Sequence, residues 1–179
     1  MDPKLILSSP LLEITISRLC QEIIENQIEG IETVIVGLQP RGVYFAHRLK
    51  ENLDKESNQT YSIGKLDASF YRDDLRSRDE IIKPNQTEIN FILDNKRVIL
   101  VDDVIATGRM VRAAMDAMNS FGRPAKVELC VLIDRIYNRD LPISPDYIGK
   151  HVNTLNTEKV LVEWKEQGHK KDKIWLITK

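Results

Sequence analysis

The chain has 179 residues, long enough for one domain with a substantial core, and a formal net charge of −1, which excludes a strong overall field for nucleic acid or membrane. Its opening, MDPKLILSSP, contains Asp2 and lacks a long apolar run, so it reads as neither a signal peptide nor a membrane span. A single domain over residues 1–179, cytoplasmic and without a membrane partner, is the expectation.

In chain order, Leu12, Ile16, Leu19, Ile23 and Ile24 recur at helical spacing from Pro10 toward Gly30 and predict an amphipathic first helix. TVIVGL at 33–38 predicts a buried strand, Gly37 to Gly42 a turn, and Val43, Phe45, Ala46 and Leu49 the start of a second helix. TYSIGKLDASF at 60–70 alternates as a strand does. The charged, turn-rich stretch at 71–90 has no continuous period and predicts a long loop, which inside a compact domain is usually functional or disordered. AKVELCVLIDR at 125–135 predicts another strand, preceded by a helix stop at Phe121-Gly122-Arg123-Pro124. KVLVEW at 159–164 and KIWLIT at 173–178 predict a terminal antiparallel hairpin. Cys20 and Cys130 fall within apolar patterns and read as small buried hydrophobes. His47, His151 and His169 are scattered without ligand spacing.

The segment KRVILVDDVIATGRMVRAAMDAM at 96–118 carries the most chemistry. Val98, Ile99, Leu100 and Val101 form a continuous apolar run, the pattern of a parallel strand covered on both faces. Asp102 and Asp103 are thereby expected at the strand's carboxyl end, where open α/β sheets bind ligands. The loop with Thr107 and Gly108 opens directly into a helix whose Val111, Ala114, Met115 and Met118 read as core side chains. Such a loop offers backbone N–H groups and a positive helix end to an anion. Carboxylates for hydroxyls or a metal beside a phosphate cradle point to a sugar phosphate.

This segment resembles the ribose-5-phosphate motif of type I phosphoribosyltransferases. VGLQPRGVYFAHRL at 36–49, FYRDDL at 70–75 and LPISPDYIGKHV at 141–152 resemble successive blocks of the pyrimidine-operon regulator and uracil phosphoribosyltransferase family. The resemblance implies an α/β chain with a central, mostly parallel sheet flanked by helices, a mobile lid loop and a C-terminal hood with a β-hairpin. It implies transfer of ribose 5-phosphate from phosphoribosyl pyrophosphate to a nucleobase, uracil giving UMP and pyrophosphate. Asp102 and Asp103 would hold the ribose hydroxyls and support Mg²⁺. Ala106, Thr107, Gly108, Arg109 and Met110 would form the 5-phosphate loop. Gln39, Pro40, Arg41 and Gly42, with Arg72, would take the pyrophosphate, arginine's planar fork suiting phosphate oxygens. Tyr71, Asp73 and Asp74 fall in the lid as contacts or solubilising charges. Ile133, Asp134 and Arg135 would line the base, with Tyr137 available to stack on it. The family's first loop implies a cis peptide at the bond near Leu38 and Gln39.

The chain departs from the family pattern at Ala106, where the regulators carry Tyr and 6-oxopurine transferases an Asp acting on a ring proton; alanine can do neither. Met110 replaces a second Thr, removing a donor to the phosphate at a cost of roughly 1.5–3 kcal/mol. Arg135-Ile136-Tyr137-Asn138-Arg139 replaces a Gly-His-Arg-like stretch and runs one residue longer. Two other functions remain open on sequence. One is an RNA-binding, UMP-sensing regulator, with Arg76, Arg78, Lys83, Arg112, Arg123 and Lys126 as phosphate contacts. The other is a 6-oxopurine transferase, suggested by Pro145-Asp146-Tyr147-Ile148-Gly149. The resemblance also implies a homodimer or larger homo-oligomer.

Overall fold

The computed structural model describes residues 3–73, 84–155 and 157–178. Its centre is a five-stranded parallel sheet of β2 (Thr33–Leu38), β3 (Ser62–Leu66), β4 (Arg97–Ile105), β5 (Lys126–Arg135) and β6 (Tyr147–Val152), in the order β3-β2-β4-β5-β6. Period-two alternation sorts the strand side chains between two faces. Ile35, Ile99 and Val101 join the core built with helices α1 (Ser9–Glu25) and α2 (Gly42–Ser57), through Leu12, Ile16, Leu19, Phe45 and Leu49. Val34, Val36, Val98 and Leu100 face the other way, against Val111, Ala113, Ala114, Ala117 and Met118 of α3 (Arg109–Met118). The sheet is covered on both faces, as the continuous apolar runs predict.

A second, antiparallel sheet has the order β1-β8-β7, from β1 (Lys4–Ser8), β7 (Glu158–Glu163) and β8 (Lys173–Thr178). The terminal hairpin forms as predicted, but β1 adds a third strand that the sequence reading left out. Five residues with one pairing partner more than 160 positions away leave no local signature. Arg48 docks this sheet onto α2. Its guanidinium bonds Asp172 twice, at 2.8 and 2.9 Å, and lies 4.8 Å from the centroid of the buried Trp164 ring.

Two further expectations are corrected. The strand expected over 60–70 spans only Ser62–Leu66, and a 3-10 turn over Ser69–Tyr71 follows it. Met115 is 42% exposed rather than core. It follows Val111 by one turn, but at 100° per residue it lies beyond the edge of the stripe centred on Ala114, Ala117 and Met118. Both cysteines are buried and free, as expected. Among the described residues no helix is long and apolar enough to cross a membrane.

Candidate active site

The strand order reverses at β2. The chain passes from β2 outward to β3, then returns to the other side of β2 as β4, opening a crevice at the carboxyl ends of β2 and β4. On the β2 side the ladder of β4 ends at the pair Gly37–Val101, while on the β5 side it continues to Ile105–Asp134. Asp102 and Asp103 therefore lie inside β4 rather than after it, a correction to their expected place. They remain at the crevice because the ladder between β2 and β4 has already ended one residue before them.

Asp103 is buried and Asp102 partly so. Burial raises both carboxyls above their ordinary value. For Asp102 repulsion from Asp103 adds to the rise and Arg72 offsets part of it, while Arg41 offsets part of the rise at Asp103. Asp102 Oδ1 accepts the Asp103 N–H at 2.9 Å. A pair of crowded carboxylates is a strained store of negative charge that a hydroxyl-rich sugar or a hard cation relieves. Oxygen-only donors of this kind fit Mg²⁺. Among the described residues no cluster of three or more His, Cys, Asp or Glu forms a metal site on its own.

The crevice is a cavity of about 660 Å³. Gln39, Pro40 and Arg41 line it from the loop after β2, and Arg72 from the segment after the 3-10 turn. Asp102, Asp103 and the whole loop Ala106, Thr107, Gly108, Arg109 and Met110 line it from β4 and the start of α3, and Arg135 from the end of β5. Val104, Ile105, Val111 and Asp140 also line it, none of them expected from the sequence as a site residue. Gly108 caps α3 with φ of 86°, a left-handed conformation that suits glycine.

Gly42, Tyr71, Asp73, Ile133, Asp134 and Tyr137 do not line this cavity. Gly42 acts through close approach: a Cβ there would meet the Val101 carbonyl oxygen at 2.6 Å and the Asp102 Cα at 2.9 Å, so α2 can start against β4 only without a side chain. Tyr71 is 44% exposed at the end of the 3-10 turn. Ile133 is fully buried in the core. Asp134 Oδ1 accepts a bond from Arg139 at 2.6 Å, and its Oδ2 lies 3.3 Å from His151 Nδ1, so protein groups surround this carboxylate. Tyr137, 74% exposed, lines a neighbouring cavity with Ala106, Arg135, Asn138 and Arg139.

Only the two arms of the expected lid are described. Asp73 at its root bonds Arg109 at 2.7 Å, and the Gln86 carbonyl on its returning arm accepts a bond from the Gln39 side chain at 3.1 Å. Asp74, Arg76, Arg78 and Lys83 lie outside the described residues. The cis peptide of the first loop is Gln39–Pro40, one bond after the expected place. Proline's tertiary amide is the bond at which the cis form costs least.

A crevice at the switch point, lined by two adjacent acids and by the loop that opens a helix, has the layout of a phosphoribosyltransferase. The sequence pattern of the phosphoribosyl transferase domain matches residues 4–167, and the chain belongs to that family. Within it, the chain is 40% identical over 167 residues to the "Bifunctional protein pyrR" of Enterococcus faecalis, covering 93% of each protein. It is 47% identical over 146 residues to the "Bifunctional protein PyrR" of Caldicellulosiruptor bescii, covering 81% of this chain and 79% of that one. The crystal structure of the hypoxanthine phosphoribosyltransferase of Trypanosoma cruzi superimposes with a TM-score of 0.73 over 98% of this chain and 96% of that one. At 14% identity that likeness concerns the fold alone.

Proposed function

We propose that this pentosyltransferase transfers ribose 5-phosphate from phosphoribosyl pyrophosphate to uracil, releasing pyrophosphate and UMP. The observation that carries the reading is the convergence of the Asp102–Asp103 pair, the loop Ala106–Met110 and the arginines Arg41 and Arg72 on one cavity. Transfer builds positive charge on the ribose as pyrophosphate leaves, so the protein must hold a leaving anion and align two reactants; it needs no nucleophile of its own. Thr107, Gly108 and Arg109 grip the 5-phosphate. Arg41 and Arg72, with Gln39 and Pro40, take the pyrophosphate. Asp102 and Asp103 accept the ribose hydroxyls and would hold Mg²⁺, which supplies charge neutralisation to the pyrophosphate when bound. Arg135 and the neighbouring chamber with Tyr137 receive the base. Ala106 lacks the carboxylate that a purine ring proton would require, which favours a pyrimidine.

Purified protein with phosphoribosyl pyrophosphate, Mg²⁺ and a panel of uracil, hypoxanthine and guanine is expected to release pyrophosphate with uracil above the others. Absence of turnover with every base overturns the reading.

The relatives' designation as bifunctional supports a second reading, a regulator that binds RNA and senses UMP. Of its described candidates, Arg112 is engaged by Asp73 and Asp116 and Lys126 by Glu128, which leaves little basic surface at those places. Filter binding of pyrimidine-leader RNA with and without UMP tests it: weak affinity indifferent to UMP removes this role.

A further inference from the structure

A loop that binds an anion through its backbone must point its N–H groups at the ligand and keep its carbonyl oxygens, which would repel it, turned away. In a planar trans peptide the C=O of one residue and the N–H of the next point in opposite directions, so fixing one fixes the other. In this chain the carbonyls of Ala106 and Thr107 are both taken by a single short segment after β5. Arg139 Nη1 donates to the Ala106 oxygen at 2.5 Å, and the backbone N–H groups of Asp140 and Leu141 donate to the Thr107 oxygen at 3.0 and 3.1 Å. The amides of Thr107 and Gly108 are thereby aimed away from that segment.

Two of these bonds come from backbone, and the third from a long side chain that must itself be held. Arg139 Nη2 bonds Asp134 Oδ1 at 2.6 Å, and the buried Asp134 sits on β5 in register with Ile105 of β4 and His151 of β6. The guanidinium thus bridges a rigid strand to the first carbonyl of the loop. Its planar fork presents two N–H groups to the two acceptors in one fixed geometry, which a flexible ammonium does not preset.

We propose that Arg139, oriented by Asp134, is a positioning residue that presets the loop Ala106–Met110 for a sugar 5-phosphate. The proposal rests on the proposed phosphoribosyl transfer and extends it to Asp134 and to Arg139, which also borders the chamber with Tyr137, so the ribose 5-phosphate titration reads its effect on the phosphate loop apart from any effect on the base. Asp134 then serves the phosphate end of the site through Arg139.

The test uses the full chain and ribose 5-phosphate as probe, titrated by calorimetry in the presence of Mg²⁺, beside steady-state kinetics with phosphoribosyl pyrophosphate and uracil. Loss of ground-state positioning raises KM with kcat little changed, whereas a general loss of folded protein lowers kcat alone. R139A is expected to weaken ribose 5-phosphate binding and raise the KM for phosphoribosyl pyrophosphate each about tenfold, the scale of a lost charge-assisted bond. R139K keeps the charge but only one of the two bonds, and is expected to recover less than half of the loss. D134N alone weakens binding by less than R139A, and the double variant binds no worse than R139A because both act through one bond.

Wild-type protein that binds ribose 5-phosphate while R139A binds it equally well overturns this proposal and leaves the transferase reading standing. So does a loss in R139A confined to kcat, or a double variant whose losses add. Wild-type protein that neither binds ribose 5-phosphate nor turns over any base overturns both.

Discussion

Replacing Gly42 by alanine tests how tightly the first turn of α2 is fitted against β4. The substitution at first sight favours stability, since alanine in a helix gains about 1 kcal/mol over glycine. The backbone conformation raises no objection, because Gly42 is absent from the left-handed glycines, which are Gly30, Gly108, Gly122 and Gly168. The obstacle is space. The new methyl would lie 2.6 Å from the Val101 oxygen, 2.9 Å from the Asp102 Cα and 3.1 Å from Asp102 Oδ1. The first two atoms are backbone of a central strand and cannot swing aside, so α2 and β4 must separate by about 0.5–1 Å to reach ordinary contact distances near 3.5 Å. Overpacking of this kind costs about 1–3 kcal/mol, enough to reverse the helix gain. The displaced atoms belong to Asp102 and to the loop bearing Arg41, so catalysis should suffer as well. A shift on the 1 Å scale can lower kcat/KM about a hundredfold. Urea unfolding and steady-state kinetics on G42A read the two effects. G30A is the control, because no atom lies within 4 Å of its added methyl and its φ of 76° confines the penalty to local strain far from the crevice. A G42A protein as stable as wild type, with kinetics within about twofold, would refute the reasoning from close approach.

Other outcomes follow from the buried charges. Arg97 is fully buried, with Nε on Glu128 at 2.5 Å and Nη2 on the Tyr147 hydroxyl at 2.7 Å; E128Q strips its counter-ion and should cost about 3–5 kcal/mol in urea unfolding. Burial alone would raise the Glu128 carboxyl, but the bonds from Lys126 and Arg97 outweigh it and hold it below its ordinary value. Its contribution is therefore complete above an unfolded value of about 4.3 and lost as pH falls through the depressed folded value, so the gap between wild type and E128Q should be constant from about pH 7 to 5.5 and shrink below about pH 4. Asp102 behaves oppositely: its raised carboxyl destabilises the free protein once ionised, so D102N should raise Tm at neutral pH while lowering kcat/KM roughly 10²–10³-fold, and a lower Tm would contradict the charge argument. R48A should undock the three-stranded sheet by removing the partner of the buried Asp172, at about 3 kcal/mol in urea unfolding, with R48K restoring little because it lacks the fork. Burial, helped by Glu56, pushes the Cys20 thiol up to about 12 and burial likewise raises Cys130, so a thiol reagent at pH 8 should modify both at least about a hundredfold faster in urea than in the native protein.

The sequence by itself determined the strand–loop–helix units and the identity of most groups on the crevice wall, because these depend on short-range features. The run Val98–Val101 has to be a buried strand, the loop with Thr107 and Gly108 opens straight into a helix, and Asp102, Asp103, Thr107 and Arg109 follow in one continuous motif. The tertiary structure decided everything that depends on a partner distant in the chain. It paired β1 with β8, ended the β2–β4 ladder at Val101 so that two acids inside a strand still line the crevice, and turned Met115 outward at the edge of its stripe. It also held Asp134 inside β5, with Arg139 on Oδ1 and the His151 ring 3.3 Å from Oδ2. Arg139 stands out in sequence only as the end of a departing stretch, since its bond depends on the Ala106 carbonyl lying within 2.5 Å, 33 residues earlier in the chain. Residue type sets what a side chain can bond to, and only the packed sheet sets what lies within its reach.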